Sequence, residues 1–335
     1  MTKSKTYHTL KSEKNDTPVT DLIVVGELNM DLIMDNVNFL PEIGKERIAE
    51  DMTITLGSSS AILASNAAAL GLQVSFTGRV GDDLFGRQIL DVMNKRGIDT
   101  TNILISSEKN TGLTCIYTAN NDRGMITYPG SMEELTIRDI DWNQVMASRH
   151  LHMSSYYLQK GIKPDCPELF EKARSMGLTT SFDTNWDPDE VWGDEIYDVL
   201  KNVDIFLPND TEAMLISGKD TLDEALHYLA SFGCIVVATC GSRGIIAQDQ
   251  HKRYSVSSVN VTPVDAVGAG DSFNAGFLSK YVKGESLDSC LTFGVVAGAY
   301  STTKAGGTTA FQDMSRFQSF AGQALPELSI SDKQT

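Results

Sequence analysis

The segment Asp265-Ala-Val-Gly-Ala-Gly-Asp-Ser-Phe-Asn-Ala-Gly-Phe277 joins three small residues, Gly268, Ala269 and Gly270, to an acid, Asp271. Downstream, Phe273, Phe277, Leu278 and Tyr281 keep helical spacing, which predicts that the small residues stand at the start of a helix. Backbone N–H groups left open there, together with the helix dipole, suit an anion, above all the oxygens of a phosphoryl group in transfer. Asp271, in the first turn beside this nest, can take the proton of a hydroxyl that attacks the phosphoryl group. The same residues also make an ordinary acidic cap after a glycine turn, so the spacing alone leaves both readings open.

Such residues act only where larger elements hold them. Near-continuously apolar runs at 21–28, 150–154, 179–183, 204–207 and 234–239 alternate with helical patterns such as 83–96 and 221–232. This rhythm predicts an α/β fold: a doubly wound, mostly parallel sheet with helices on both faces. Polar clusters follow the strands: Asn29 and Asp31; Asp183, Thr184 and Asn185; Asn209 to Glu212; Thr239 to Gly244. Open parallel sheets bind ligands outside the carboxyl ends of their strands, so the clusters predict one composite site. Two regions break the rhythm, 32–56 around Pro41 and Gly44, and 111–130 with a hairpin turned at 120–124. They predict a small β-sheet acting as a lid over the ligand edge.

The chain has 335 residues, with 44 acidic against 28 basic side chains and a formal charge of −16. That balance repels phosphate backbones and anionic lipid, which argues against a nucleic-acid or membrane-surface role. No stretch approaches the ~20 apolar residues of a membrane span. Residues 1–20 are polar without the apolar core of a signal peptide and are expected to form a tail, as are 326–335, around a single domain at 21–325. Cys115, Cys166, Cys234, Cys240 and Cys290 are odd in number and scattered, which points to a reducing cytoplasm rather than a disulfide framework. The chain lacks a Walker P-loop, and Gly26-Glu-Leu-Asn-Met-Asp31 stands where a dinucleotide-binding turn would be. His150 and His152 share one side of a strand but have no acidic or thiol partner nearby, which favours hydrogen-bonded core residues over metal ligands. Asp82 and Asp83 open a helix, where acids are favourable in any case. Trp186 fits either core or pocket wall.

Residues 265–277 resemble the C-terminal signature of the PfkB/ribokinase carbohydrate kinases. The run Gly57-Ser-Ser-Ser-Ala-Ile-Leu-Ala-Ser-Asn-Ala-Ala-Ala-Leu-Gly71 resembles their N-terminal signature. Gly78-Arg-Val-Gly-Asp-Asp-Leu-Phe-Gly86, Pro208-Asn209 with Glu212, and Thr239-Cys-Gly-Ser-Arg-Gly244 match in the same order. The resemblance implies a ribokinase-like fold and ATP-dependent phosphorylation of a sugar hydroxyl, with Asp271 as general base and the amides of Gly268, Ala269 and Gly270 as anion hole. It implies that Asn29, Asp31, Gly57 and Ser58 line the sugar pocket, and that Asn209, Thr239, Gly241 and Gly244 shape the nucleotide groove. Glu212 would meet Mg2+ through water, and Asp265, Val267, Ser301 and Gly306 would supply a monovalent-cation site of the potassium type. Two positions depart from the family pattern. Ser58 replaces the second glycine of the N-terminal signature, and Ile62 replaces its asparagine, which implies a lost sugar contact; Asn66 lies one turn further along the same helix face.

The lid candidates carry few cations (Lys45, Arg47, Arg123), which favours an unphosphorylated ketose or pentose such as fructose or ribose over a sugar phosphate. A nucleoside kinase is the alternative within enzymes and needs an aromatic wall for the base. A catalytically silent sugar sensor is the alternative outside them, and it requires neither Asp271 nor the glycine nest. Edge strands in the lid invite pairing between two copies, so a homodimer is expected there.

Overall fold

Leu22, Ile23, Val24 and Val25 are each fully buried, as residues of a strand covered on both faces must be. They belong to β1 (Thr20–Val25), which lies inside a ten-stranded sheet. The computed structural model describes residues 20–334 except 36, 38–41, 120–121 and 329. Next in chain order come β2 (Asn29–Asp35), β3 (Asp51–Leu56), α1 (Ser59–Ala69), β4 (Val74–Gly81), α2 (Leu84–Lys95), β5 (Asp99–Ser106), β6 (Gly112–Ala119) and β7 (Asp122–Tyr128). They are followed by α3 (Trp142–Met146), β8 (Ser148–Met153), α4 (Cys166–Ser175), β9 (Thr179–Phe182), α5 (Ile196–Leu200), β10 (Ile205–Phe206), α6 (Asp210–Ser217), α7 (Leu222–Ala230) and β11 (Ile235–Thr239). The described chain ends with β12 (Ile245–Gln248), β13 (Lys252–Val256), α8 (Ala269–Tyr281), α9 (Leu287–Ser301), α10 (Met314–Ala324) and β14 (Ile330–Gln334).

The main sheet has the order β14-β13-β12-β11-β10-β9-β8-β1-β4-β5. From β5 to β11 every pairing is parallel; β12, β13 and β14 extend the sheet antiparallel. Alternate residues of β1 feed two cores. Leu22 and Val24 pack with side chains from α1, α8 and α9, while Ile23 and Val25 pack with those from α4 to α7. The strand order reverses at β1, which has β4 on one side and β8 on the other. In open parallel sheets a ligand binds at the carboxyl ends of the strands that flank such a reversal.

The lid is a separate four-stranded sheet of order β3-β2-β6-β7. The expected hairpin is β6 against β7, antiparallel, although 120 and 121 of its turn fall outside the described residues. The fold is thus the expected doubly wound one with a small lid sheet. The expectation of a tail at 326–335 is corrected: Ile330–Gln334 adds the last strand by pairing with β13. Its alternation is too short and too polar to read as a strand without the partner edge. The expected tail at 1–20 lies outside the described residues except for Thr20, the first residue of β1.

Candidate active site

Asn29 and Asp31 open β2, a middle strand of the lid, with their side chains buried. Asn29 Nδ2 donates to Asp31 Oδ1 and to Thr114 Oγ1, each at 3.0 Å. In the lid register Asp31 stands opposite Thr55 on β3 and Thr114 on β6, and Thr114 stands opposite Thr127 on β7. The Thr114 and Thr127 hydroxyls are 3.1 Å apart. One cross-strand row of the lid therefore reads Thr55, Asp31, Thr114, Thr127, since paired residues share a face. Gly57 backs onto this row: its N–H donates to Asn29 O at 3.1 Å, and a Cβ there would overlap the Asp31 carboxylate.

Ser58 caps α1 with φ of 68°, its hydroxyl accepting from Ala61 N (3.0 Å) and donating to Glu27 O (2.6 Å). The expected pocket residue is thus committed to the framework through its side chain. Glu27, just beyond β1 and buried, accepts from Ser60 Oγ at 2.5 Å, Ser60 N at 3.2 Å and Ser155 Oγ at 2.8 Å. Asn185, just beyond β9, donates to Ser155 Oγ at 2.6 Å and Ser59 Oγ at 2.5 Å. Ser59 also bonds Asp271. Ser58, Ser155 and Asn185 all have positive φ, so three left-handed residues hang on one polar network at the strand ends.

Asp271 sits in the first turn of α8 and is only 9% exposed. Burial first, and then the carboxylate of Asp183, push its carboxyl up to about 8, against the Ser59 hydroxyl; Glu27 and Asp31 push the same way as Asp183. Asp183 is raised by burial and by Glu212, although Asn274 Nδ2 donates to it at 2.7 Å. Glu212 is raised by burial and by Asp271. Among the described residues none of Glu27, Asp183, Glu212 and Asp271 takes part in an ion pair. Among the described residues no group of three or more such side chains stands close enough to hold a metal ion by itself, so a hard divalent cation here would need water or phosphate oxygens as well.

Gly268 caps α8 at φ of 73°, a conformation that a side chain would strain. Ala269 and Gly270 follow as the first helical residues, with open space where a Gly270 side chain would stand. Asn209 and Glu212 form a reciprocal capping box at the start of α6: Glu212 N donates to Asn209 Oδ1 (2.8 Å) and Asn209 N to Glu212 Oε2 (2.9 Å). Thr239 ends β11 beside them and bridges Asn209. Gly241 and Gly244 bound the turn that leads into β12, both at positive φ. Asp265 accepts from Val267 N and from Gly306 N, each at 2.9 Å, so it ties two loops together. Ser301 is brought to the same end of α9, but its hydroxyl turns back to Gly298 O at 2.8 Å.

Ile62 is buried beside Gly268 and Gly307. His150 and His152, both fully buried, form a chain with hydroxyls: Thr179–His150–Ser181–His152–Ser154, with successive distances of 2.7, 2.7, 2.7 and 2.6 Å. Asp83 caps α2, and its carboxylate also takes the Thr111 N–H and hydroxyl. Trp186 is half exposed and edge-on to Trp192. Sequence reasoning missed Glu27, Ser59, Thr114 and Ser155 as site residues. Asp183 and Asn185 gave a signal, as polar residues directly after a strand, but were assigned no role.

A lid sheet over the switch point of a doubly wound sheet, with an acid behind a glycine turn at a helix start, defines a phosphotransferase-type crevice. Residues 19–314 match the family described as "pfkB family carbohydrate kinase". This chain belongs to the pfkB family, whose members are ATP-dependent carbohydrate kinases. It is 28% identical over 296 residues to a ribokinase of Haemophilus influenzae, covering 85% of this chain and 93% of that protein. It is 25% identical over 296 residues to a nucleoside kinase of Methanothermobacter thermautotrophicus, covering 88% and 93%. Its fold matches that of an E. coli protein solved in complex with ATP and Mg2+, with a TM-score of 0.79 at 20% identity over 91% of this chain and 99% of that one. The chain is thus a sugar or nucleoside kinase.

Proposed function

We propose that this protein transfers the terminal phosphoryl group of ATP to a hydroxyl of an unphosphorylated sugar, a ketose or pentose such as fructose or ribose. The observation that carries this reading is Asp271: a buried carboxyl with raised proton affinity, one residue beyond the open turn 268–270 at the start of a helix. Asp271 accepts the proton of the attacking hydroxyl as the new oxygen–phosphorus bond forms and ADP leaves. The amides of Gly268 and Gly270 face the charge that builds on the phosphoryl oxygens, whereas the expected third donor, Ala269 N, is bonded to Ala266 O at 3.3 Å. Asn29 and Asp31 hold the sugar's other hydroxyls, backed by Gly57 and framed by Ser58.

The lid row Thr55, Asp31, Thr114, Thr127 offers hydroxyls and one carboxylate, which suits a neutral polyol. Lys45 and Arg47 both pair with Glu42, which supports the preference for a substrate without its own phosphate. Asn209, Thr239, Gly241 and Gly244 would shape the nucleotide groove. Glu212 would hold Mg2+ through water; bound there, the ion neutralises phosphate charge. A potassium-type cation would sit by Asp265, Val267 and the 301–307 loop. The five cysteines are free, as suits the reducing cytoplasm in which we place the protein. Met52, Ile54, Ile126 and Tyr128 are exposed on one face of the lid, and we assign them to a homodimer contact, to be checked by sedimentation.

The test is ADP release with Mg-ATP and potassium against free sugars, sugar acids, sugar phosphates and nucleosides. Turnover with a free ketose or pentose supports the reading; turnover with nucleosides alone overturns the sugar assignment, and none with binding retained points to a sensor. Gly57→Ala is expected to raise the sugar KM about tenfold or more by displacing Asp31, a hydrogen-bonding partner in a buried site, with KM for ATP unchanged in steady-state assays.

A further inference from the structure

Behind the glycine turn lies a polar side chain that the transfer chemistry does not use. Asn66, near the end of α1, is fully buried. Its Nδ2 donates to Ser272 Oγ at 3.0 Å and to Gly307 O at 2.9 Å. Ser272 Oγ in turn donates to Gly268 O at 2.7 Å. One carboxamide thus reaches the residue that caps α8 through a single hydroxyl, and reaches the facing loop directly. Those two segments touch: a Cβ at Gly268 would stand 2.7 Å from Gly307 Cα. Ile62, one turn earlier on α1, fills the space beside them, its Cγ2 3.2 Å from the same Cβ position. The loop is also held from outside, by Asp265 on Gly306 N and by Arg96, which donates to Thr308 O and Phe311 O at 3.0 Å each.

Packing alone does not explain an amide at this point. Asn66 Oδ1 is buried with no hydrogen-bond partner among the described residues, so a leucine of similar size would leave no orphan oxygen. What a leucine lacks is the pair of N–H arms. Stabilisation of developing charge depends on donors fixed before the reaction, and small displacements of an anion hole are costly to turnover.

We infer that Asn66 is a positioning residue which, through Ser272, braces the Gly268 turn against Gly307 and so fixes the direction of the amides that receive the phosphoryl group. The brace itself stands on the hydrogen bonds; its consequence for rate rests on the kinase reading. Two variants of the full chain test it, Ser272→Ala, which removes one arm without a change of shape, and Asn66→Leu, which removes both. The amides of Ala269 and Ser272, bonded to Ala266 O and Gly268 O, report the first turn by hydrogen exchange. Both variants should exchange faster there, with β1 and β8 unchanged. Their kcat should fall about tenfold or more, with sugar KM within twofold and the double variant no worse than Asn66→Leu. Wild-type exchange at both amides in Ser272→Ala overturns the brace. Faster exchange with unchanged kcat overturns its catalytic role. If the wild type phosphorylates nothing in the substrate panel, the kinase reading has failed, and the exchange measurement still decides the brace.

Discussion

Asp271→Asn should abolish most turnover and, at the same time, make the ligand-free protein more stable above neutral pH. A positioned general base contributes about 10²–10⁴-fold to rate, so kcat should fall by that order. Sugar affinity measured by calorimetry should hold, because Asn29, Asp31 and the lid threonines are untouched. The stability effect follows from the same carboxyl. Its folded-state value is pushed up to about 8 by burial and by Asp183, above the value of about 3.9 in an unfolded chain. Between those two values the folded state binds a proton that the unfolded state does not. Stability is therefore fully present below about 4 and is lost as pH rises towards 8, at about 1.4 kcal/mol per pH unit for one proton. An asparagine carries no such dependence, so the gain over wild type should grow from pH 5 to pH 8 in denaturant titrations without Mg2+ or nucleotide. Near wild-type turnover would remove Asp271 from the chemistry. A pH-independent stability difference would remove its electrostatic strain, the trade-off between activity and stability common at catalytic sites.

What could be read from the chain in advance were features carried by neighbours in sequence. The Gly268–Gly270 turn and Asp271 announce themselves because nest, acid and helix pattern are contiguous. The parallel sheet follows from apolar runs that need no knowledge of their partners. The rest depends on which strand lies beside which. Glu27, Ser155 and Asn185 come from the ends of β1, β8 and β9, and become one network only because the sheet places those strands side by side. The lid row is set by register: a slip of one residue would turn Thr114 and Thr127 to the other face, and nothing local forbids it. Ile62 reads from the family pattern as a lost sugar contact; that it packs beside Gly268 and Gly307 depends on which distant segments meet α1, which no local pattern states. β14 was illegible because a short polar strand is defined by the edge it joins.

The buried histidines predict an acid limb of the opposite sign. Burial pushes His150 down to about 3 and His152 well below the usual imidazole range, with His150 adding to the shift of His152. Both are neutral in the folded chain, where hydroxyls of Thr179, Ser181 and Ser154 satisfy their ring nitrogens. In the unfolded chain each takes up a proton below about 6.5. The unfolded state then binds more protons, so stability is present above 6.5 and is lost as pH falls towards 3. His150→Gln keeps a donor and an acceptor in the chain but does not titrate. Its stability is expected to be lower than wild type at pH 7, and the gap should close by about 2 kcal/mol between pH 6.5 and pH 5. Comparing the two proteins cancels the carboxylates common to both, provided their couplings are unchanged. Parallel curves across that interval would sink the account. In the wild type the histidine term ends near 6.5 whereas the Asp271 term runs on to about 8, so the ligand-free protein should weaken steadily between pH 7 and 8. Mg2+ with nucleotide should restore that loss, since a cation beside the carboxylates stabilises the charged forms that burial and mutual repulsion disfavour.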